Sequence, residues 1–341
     1  MTYKVGIAGY GVVGKKRHAA LNKIKDFAVT SVSDIAFKDG IKPLDLNCYF
    51  DYRDLIKNED LDVLFVSLPN NHAATATLLG LKRDLHVFCE KPPSRTLSEL
   101  IPIKKYLEKT NLKLMYGFNH RFHSSIIHAK KIIDDGHFGE VLNLKGTYGK
   151  SKMISFNQSD WRTNREISGG GILLDQGIHL LDLMNYFAGG FNKVFSIIQN
   201  SFWNFDVEDN AFVLMQNDFG VVGQLHSSAT QWRHKFHLDV TLKKGSLILG
   251  GLLTGSKSYG DETLKIIYAD PENDKGNPKE EIIHFDEDIS WDEEIKRFTD
   301  AIRNSDKIEN GSIDHAIEIM GLIERIYKAD PEWKRKYYKN E

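Results

Sequence analysis

Over its first ~120 residues the chain alternates short apolar runs with amphipathic stretches. Lys4-Val5-Gly6-Ile7-Ala8 reads as a first buried strand, Ala28 to Ser33 as a second, and Val63 to Leu68 as a later one. His86 to Cys89 and Leu112 to Tyr116 complete the set. Between these last two, Leu97, Leu100, Ile101, Lys104 and Leu107 trace a helical stripe broken only by the lysine. Strands and helices in alternation predict βα units on a parallel, doubly wound sheet.

After Gly117 the rhythm changes. A helix is expected from Ser125 to Asp135, capped by Gly136, then a strand from Val141 to Thr147. The segment from Lys150 to Ser168 is polar and irregular, and a second helix follows, from Leu173 to Phe187. From Val194 to Phe285, strand-like runs are joined by turns such as Asn217-Asp218-Phe219-Gly220 and Lys243-Lys244-Gly245, which predicts an antiparallel-rich sheet. Asp270 to Lys279 reads as a surface loop, and amphipathic helices at Trp291–Arg303 and Ile313–Lys328 close the chain. Few helical patterns accompany the second sheet, so one of its faces is expected to be covered by another subunit, in a homodimer or homotetramer.

Composition fits this picture. A chain of 341 residues has room for two domains, and 41% hydrophobic with 27% charged residues is the balance of a soluble globular protein. The formal net charge is −2, so no global field favours nucleic acid or an anionic membrane. The basic clusters Lys15-Lys16-Arg17 and Lys334-Arg335-Lys336 read as solvated surface. Two cysteines, Cys48 and Cys89, make no disulfide framework, and no zinc-type spacing occurs. The first strand begins at Tyr3, leaving no room for a signal peptide, and no apolar run approaches the ~20 residues of a membrane span. The expectation is a cytoplasmic protein with neither nucleic-acid nor membrane partners.

Gly9-Tyr10-Gly11-Val12-Val13-Gly14 is a G-x-G-x-x-G sequence between an expected strand and an expected helix, with Asp34 at the end of the second strand. Gly9 permits the tight turn, Gly11 the approach of a pyrophosphate, and Gly14 the packing of helix on strand. The helix N-terminus offers unpaired N–H groups to phosphate. Asp34 suits a ribose diol and repels a 2′-phosphate, and Lys38 is the only nearby cation, so NAD is favoured over NADP. The fold class is thus α/β: a Rossmann doubly wound parallel sheet over residues 1–120, then an α/β domain with a large open, mostly antiparallel sheet over residues 121–341. The C-terminal helices are free to pack back on the first domain.

Two further segments carry chemistry. Glu90-Lys91-Pro92-Pro93 follows a strand, and the carboxyl end of a parallel strand is where doubly wound sheets bind ligands. A lysine there can serve as acid, base or anchor. In Gly169-Gly170-Gly171-Ile172-Leu173-Leu174-Asp175-Gln176-Gly177-Ile178-His179, Asp175 and His179 are four apart and share a helix face. Asp182 is an alternative partner for the histidine.

Together these residues resemble the glucose–fructose oxidoreductase and inositol dehydrogenase (Gfo/Idh/MocA) family over nearly the whole chain. The resemblance rests on Gly9–Gly14, Leu68-Pro69-Asn70-Asn71-His72, Glu90-Lys91-Pro92, Gly117-Phe118-Asn119-His120-Arg121-Phe122 and Gly169 through His179. It implies hydride exchange between nicotinamide and a sugar, sugar-nucleotide or cyclitol carbinol, with Lys91, Asp175 and His179 catalytic. It implies cofactor contacts from Gly9, Gly11, Val12, Val13, Gly14, Asp34, Leu68, Pro69, Asn70, His72, Glu90, Lys91 and Asn119. The Lys91-Pro92 bond is often cis in such enzymes. One departure is Lys15-Lys16-Arg17, where small or apolar residues are usual.

Trp161 and Arg162 in Asp160-Trp161-Arg162-Thr163-Asn164, and Arg233 in Gln231-Trp232-Arg233-His234, join Lys91, Asp175 and His179 as substrate-binding candidates. An aromatic ring stacks on a sugar face, and arginine grips a carboxylate or phosphate. Two competing readings share the fold: an oxidoreductase or glycosidase that retains and recycles its dinucleotide, and a non-catalytic NAD sensor. A sensor needs none of Lys91, Asp175 and His179.

Overall fold

The computed structural model describes residues 2–38, 46–151, 160–273 and 276–338. Two compact units are present. The first comprises Met1–Asn119, Glu166–Gly169 and Trp291–Glu318; the second comprises His120–Arg165, Gly170–Ser290 and Ile319–Glu341.

The apolar runs of the first unit become parallel strands: β1 (Tyr3–Ala8), β2 (Phe27–Ser33), β3 (Asn47–Tyr49), β4 (Val63–Val66), β5 (His86–Glu90) and β6 (Leu114–Gly117). Their order is β3-β2-β1-β4-β5-β6, the doubly wound order whose direction reverses between β1 and β4. Helices α1 (Val12–Leu21), α2 (Tyr52–Asn58), α3 (Asn70–Lys82) and α4 (Ile101–Leu107) connect them. Val5, Ile7, Val63, Leu64, Phe65, Val87 and Phe88 have no solvent exposure, as strands covered on both faces require.

The elements differ from the expected ones in three places. The third apolar run leaves the sheet at Val66, two residues before Leu68. Edge strand β3 was not anticipated, because three residues, one exposed and two half-buried, are too few to make a pattern. The stripe from Leu97 to Leu107 divides into a 3₁₀ turn (Leu97–Leu100) and α4, with Pro102 at the junction. Leu100 is buried as the stripe requires, but the change of pitch turns Ile101 outward and buries Ile103 in its place.

In the second unit, α5 (Ser124–Asp134) ends at Gly136, whose φ of 69° is the left-handed cap geometry. Strand β7 (Val141–Gly149) follows. The segment after it is not wholly irregular: Asp160–Thr163 forms a 3₁₀ turn and α6 spans Arg165–Ser168, while residues 152–159 lie outside the described set. The helix expected from Leu173 to Phe187 has two parts, a π-helical turn (Leu173–Gly177) and α7 (Ile178–Ala188). A partner outside the helix holds the first part. The Glu208 carboxylate accepts from the N–H groups of Gly171 (2.8 Å) and Leu173 (3.0 Å), and its carbonyl accepts from Ile172 N–H (3.1 Å).

Strands β8 (Lys193–Gln199), β9 (Asn210–Gln216), β10 (Val222–Ser228), β11 (Lys235–Leu242), β12 (Gly245–Gly250), β13 (Glu262–Tyr268) and β14 (Glu280–Phe285) join β7 in one eight-stranded sheet. Its order is β14-β13-β12-β11-β7-β10-β9-β8, antiparallel except for the β7–β10 pair. One face is buried: in β11, Phe236, Leu238, Val240 and Leu242 alternate with partly exposed neighbours. Helix α7 packs on that face through Leu180 and Met184, which occupy the place a side chain at Gly146 would take; a Cβ there would lie 2.9 Å from each. Three C-terminal helices follow, α8 (Ser290–Asn304), α9 (Ile313–Ala329) and α10 (Pro331–Tyr337). The last was not anticipated, although Asp330-Pro331 is a start signal: Asp330 caps the N–H groups of Glu332 and Trp333 at 2.9 and 2.8 Å. Among the described residues no helix is long and apolar enough to cross a membrane.

Arg121 and Asp182 form a buried two-pronged pair, Nε to Oδ2 at 2.7 Å and Nη2 to Oδ1 at 2.6 Å. Replacing one partner strands a charge away from water. Asp182→Ala is expected to cost about 3–5 kcal/mol in denaturant unfolding. A loss below about 1 kcal/mol would mean that the pair behaves as an exposed one.

Candidate functional site

The first βα turn shows three separate reasons for its glycines. Gly9 has φ of 92°, and a Cβ on it would lie 2.4 Å from the Ser67 carbonyl oxygen. A Cβ on Gly14 would lie 2.1 Å from the Gly9 carbonyl oxygen, so α1 can approach β1 this closely only with glycine. At Gly11 a Cβ would meet nothing within 4 Å, so the protein's own packing does not require glycine there. That opening is the fit expected of a cradle for a dinucleotide phosphate at the start of α1. Val12, on the same turn, is 38% exposed.

Asp34 lies where β2 ends and caps the 3₁₀ turn Ile35–Phe37, its Oδ1 accepting from Ala36 N–H at 2.9 Å. Neighbouring Ile35 is 78% exposed. Pro69 is the N-cap of α3. Asn70 is buried, and its Nδ2 donates to the Ser168 carbonyl at 2.7 Å. Half-buried His72 lies against the Tyr52 ring (5.6 Å between centroids), and burial holds its pKa below the usual histidine value. Asn119 is buried in a 3₁₀ turn, Asn119–Phe122.

Glu90 is the last residue of β5, and half-buried Lys91 follows it with a cis bond to Pro92. Contrary to expectation, Lys15-Lys16-Arg17 is not all solvated surface. Lys15 and Lys16 are exposed, but Arg17 has no solvent exposure. Its Nε donates to Glu90 Oε1 at 2.5 Å, and its Nη2 lies 2.6 Å from Glu294 Oε2. The Phe88 and Trp291 rings lie 4.5 and 4.3 Å from the guanidinium carbon. These two carboxylates keep the arginine charged against the cost of desolvation. The helical period of α1 carries the signal: position 17 is one turn beyond Gly14 and falls on its buried side.

In the second unit Asp175 lies within the π-helical turn, where a lysine absent from the sequence-based candidates binds it. Buried Lys150, one residue past β7, donates its Nζ to Asp175 Oδ2 at 2.8 Å, and Arg162 Nε is 3.7 Å from Oδ1. Asp182, the alternative partner for His179, is committed to Arg121. The buried His179 ring stacks on that of His120, with centroids 3.6 Å apart and planes inclined by 16°. His120 Nε2 is 3.1 Å from the Tyr148 hydroxyl, and Gln176 donates to the Tyr259 hydroxyl at 2.6 Å. Burial pushes the Tyr148 pKa well up and that of Tyr259 to about 12, so both phenols stay protonated. His120 lies in the Gly117–Phe122 segment, but nothing in the local spacing pairs it with His179, 59 residues on. Lys150 was readable only as a polar residue ending an apolar strand.

Glu208 ties the approach to this turn. Besides Gly171 and Leu173 it accepts from the Tyr327 hydroxyl at 2.7 Å, and burial raises its pKa. A Cβ on Gly171 would lie 2.1 Å from the Glu208 carbonyl oxygen, so this glycine serves backbone packing. Of the other candidates, Trp161 carries the Arg162 guanidinium 4.3 Å from its ring centre. Arg233 is exposed, beside Trp232, whose ring meets Phe202 at 5.1 Å.

Comparison with known proteins agrees with this architecture. Residues 3–118 match the model of an oxidoreductase family with an NAD-binding Rossmann fold (GFO_IDH_MocA), and residues 126–248 match that of the GFO/IDH/MocA C-terminal domain. The chain is 30% identical to levoglucosan dehydrogenase of Pseudarthrobacter phenanthrenivorans over 153 residues, 45% of this chain and 39% of that one. It is 26% identical to inositol 2-dehydrogenase of Salmonella typhimurium over 72% of this chain and 73% of the relative. Against glucose-6-phosphate 3-dehydrogenase of Bacillus subtilis the identity is 26%, over 65% and 64%. A solved levoglucosan dehydrogenase in complex with NADH superposes with a TM-score of 0.83 at 19% identity, covering 98% of both chains, a likeness of fold. Two family models that cover successive parts of one chain, with the doubly wound sheet and the eight-stranded sheet to match, place this protein in the Gfo/Idh/MocA family of NAD-binding oxidoreductases.

Proposed function

We propose that the protein is an NAD-dependent dehydrogenase acting on a CH–OH group of a sugar, sugar nucleotide or cyclitol. The observation that carries this reading is a buried histidine, His179, close in sequence to a salt-bridged carboxylate, Asp175, in a chain whose first unit has the dinucleotide turn. The named activities of the relatives, on levoglucosan, inositol and glucose 6-phosphate, support the substrate class.

Gly9, Gly11, Val12, Val13 and Gly14 would receive the pyrophosphate and Asp34 the adenosine ribose. Pro69, Asn70, His72, Glu90 and Asn119 would shape the rest of the cofactor site. When bound, the nicotinamide supplies the hydride acceptor. His179 takes the proton of the substrate hydroxyl, directly or by way of Lys91, and its buried stack against His120 fixes the ring plane. Lys91 stabilises the oxyanion that develops on the carbinol oxygen. Asp175, held by Lys150, balances the charge that His179 gains. Trp161 and Arg162 orient the substrate by stacking and hydrogen bonding. Arg233 contributes only as an exposed outer contact.

Assembly follows from the second sheet. On the solvent side of β8 and β9, Phe195 faces Leu214 and Ile197 faces Phe212, and these are 71, 49, 60 and 42% exposed. Such an apolar patch is best buried by a second copy, giving a homodimer or homotetramer.

Three measurements test the reading. For the cofactor, calorimetry is expected to show NAD bound more tightly than NADP, with Asp34→Ala narrowing the difference; equal affinities in the unaltered protein would sink the assignment. For the chemistry, Lys91→Met and His179→Asn are each expected to lower single-turnover NADH formation by about 10²-fold or more. The double variant should lose much less than the product, since the residues act as one unit. Near-wild-type rates in both single variants would place the acid–base centre elsewhere. For assembly, light scattering at micromolar concentration should report a multiple of 38.9 kDa, and Ile197→Lys should shift the protein toward that single mass. A monomer before any substitution contradicts it.

A further inference from the structure

We propose that Arg17 is a positioning residue, locking Glu90, and through it Lys91, to the helix that begins at the glycine turn. The inference rests on the role given to Lys91 above.

The guanidinium joins three elements of the first unit. Arg17 lies on α1, which starts one residue after Gly11; Glu90 closes β5 immediately before Lys91; Glu294 lies on α8. Arg17 and Glu294 have fully buried side chains, and that of Glu90 is 15% exposed. One cation therefore faces two carboxylates in an almost dry site. Apolar residues of equal volume would stabilise such a contact at least as well. An ion triad adds direction instead: the Nε–H hydrogen bond aims the guanidinium at Glu90, Nη2 lies at ion-pair distance from Glu294, and the Phe88 and Trp291 rings pack against the guanidinium carbon. Gly117, on neighbouring β6, leaves the room this needs. A Cβ there would lie 2.9 Å from Glu90 Oε2 and 3.2 Å from Arg17 Nη2.

The consequence concerns the backbone after β5. With the Glu90 side chain held from α1, the peptide leading into Lys91 has one setting relative to the turn expected to hold the cofactor. Lysine at position 17 would offer a point charge to one carboxylate at a time and lose that fixed angle.

Arg17→Met alone strands two buried carboxylates and risks misfolding, so the test uses Arg17→Met/Glu294→Met, which removes one charge of each sign. Arg17→Lys and Lys91→Met are measured beside it. In the full-length protein, NADH affinity is read by fluorescence and hydrogen exchange at the Glu90 and Lys91 amides by mass spectrometry or NMR. Turnover is read on levoglucosan, myo-inositol and glucose 6-phosphate. In the double variant, exchange at Glu90 and Lys91 is expected to rise tenfold or more, with NADH affinity within threefold of wild type. kcat should fall at least tenfold with KM little changed, and Arg17→Lys should be intermediate. A folded double variant with wild-type exchange at those amides overturns the proposal, as does a uniform rise across the whole unit. If exchange opens locally while Lys91→Met turns over normally, the tie stands and the catalytic role of Lys91 fails.

Discussion

The closeness of α1 to β1 is the constraint from which the first unit follows. Gly14 lies so near the Gly9 carbonyl that even a methyl group would overlap backbone, and Gly9 takes a φ that other residues rarely adopt. This contact brings the first N–H groups of α1 to the carboxyl edge of the sheet, beside the β1/β4 reversal where ligands enter folds of this kind. One turn on, the same helix buries Arg17 and so reaches the end of β5. The glycine turn and the tie from α1 to Glu90 thus both follow from one close approach.

The second unit is organised differently. Its putting-together depends on buried polar groups whose partners come from distant parts of the chain. Glu208 gathers two backbone N–H groups and the Tyr327 hydroxyl, and in doing so fixes where the π-helical turn begins. Lys150 fixes Asp175, and Arg121 fixes Asp182. A buried carboxylate left without its partner is expensive, so these pairings are held in place by the cost of breaking them.

Much of the fold was legible because it depends on local pattern. Buried parallel strands are apolar runs, and the glycine turn with Asp34 at the end of β2 is a short-range signature. What could not be read depends on pitch or on distance. A π-helical turn and an α-helix share nearly the same sequence preferences, so Leu173 to Phe187 read as one helix. The stripe from Leu97 to Leu107 is helical as read, but its division into a 3₁₀ turn and an α-helix at Pro102 was hidden for the same reason. Arg17 was mistaken for surface because its two lysine neighbours are exposed and its carboxylates lie 73 and 277 positions away in the chain. Lys150 and His120 were missed because their partners, Asp175 and His179, belong to another segment. Sequence spacing proposes which residues could act; long-range pairing decides how each is held.

The central claim is that a carbon-bound hydrogen leaves a sugar-like substrate for a nicotinamide held by this chain. The direct measurement follows the label: the protein is incubated with NAD and a substrate deuterated at the carbinol carbon, and the cofactor is analysed by NMR. The account predicts deuterium at C4 of the dihydronicotinamide, on a single face of the ring. Product formed with the deuterium lost to water, or with C4 unlabelled, would contradict it.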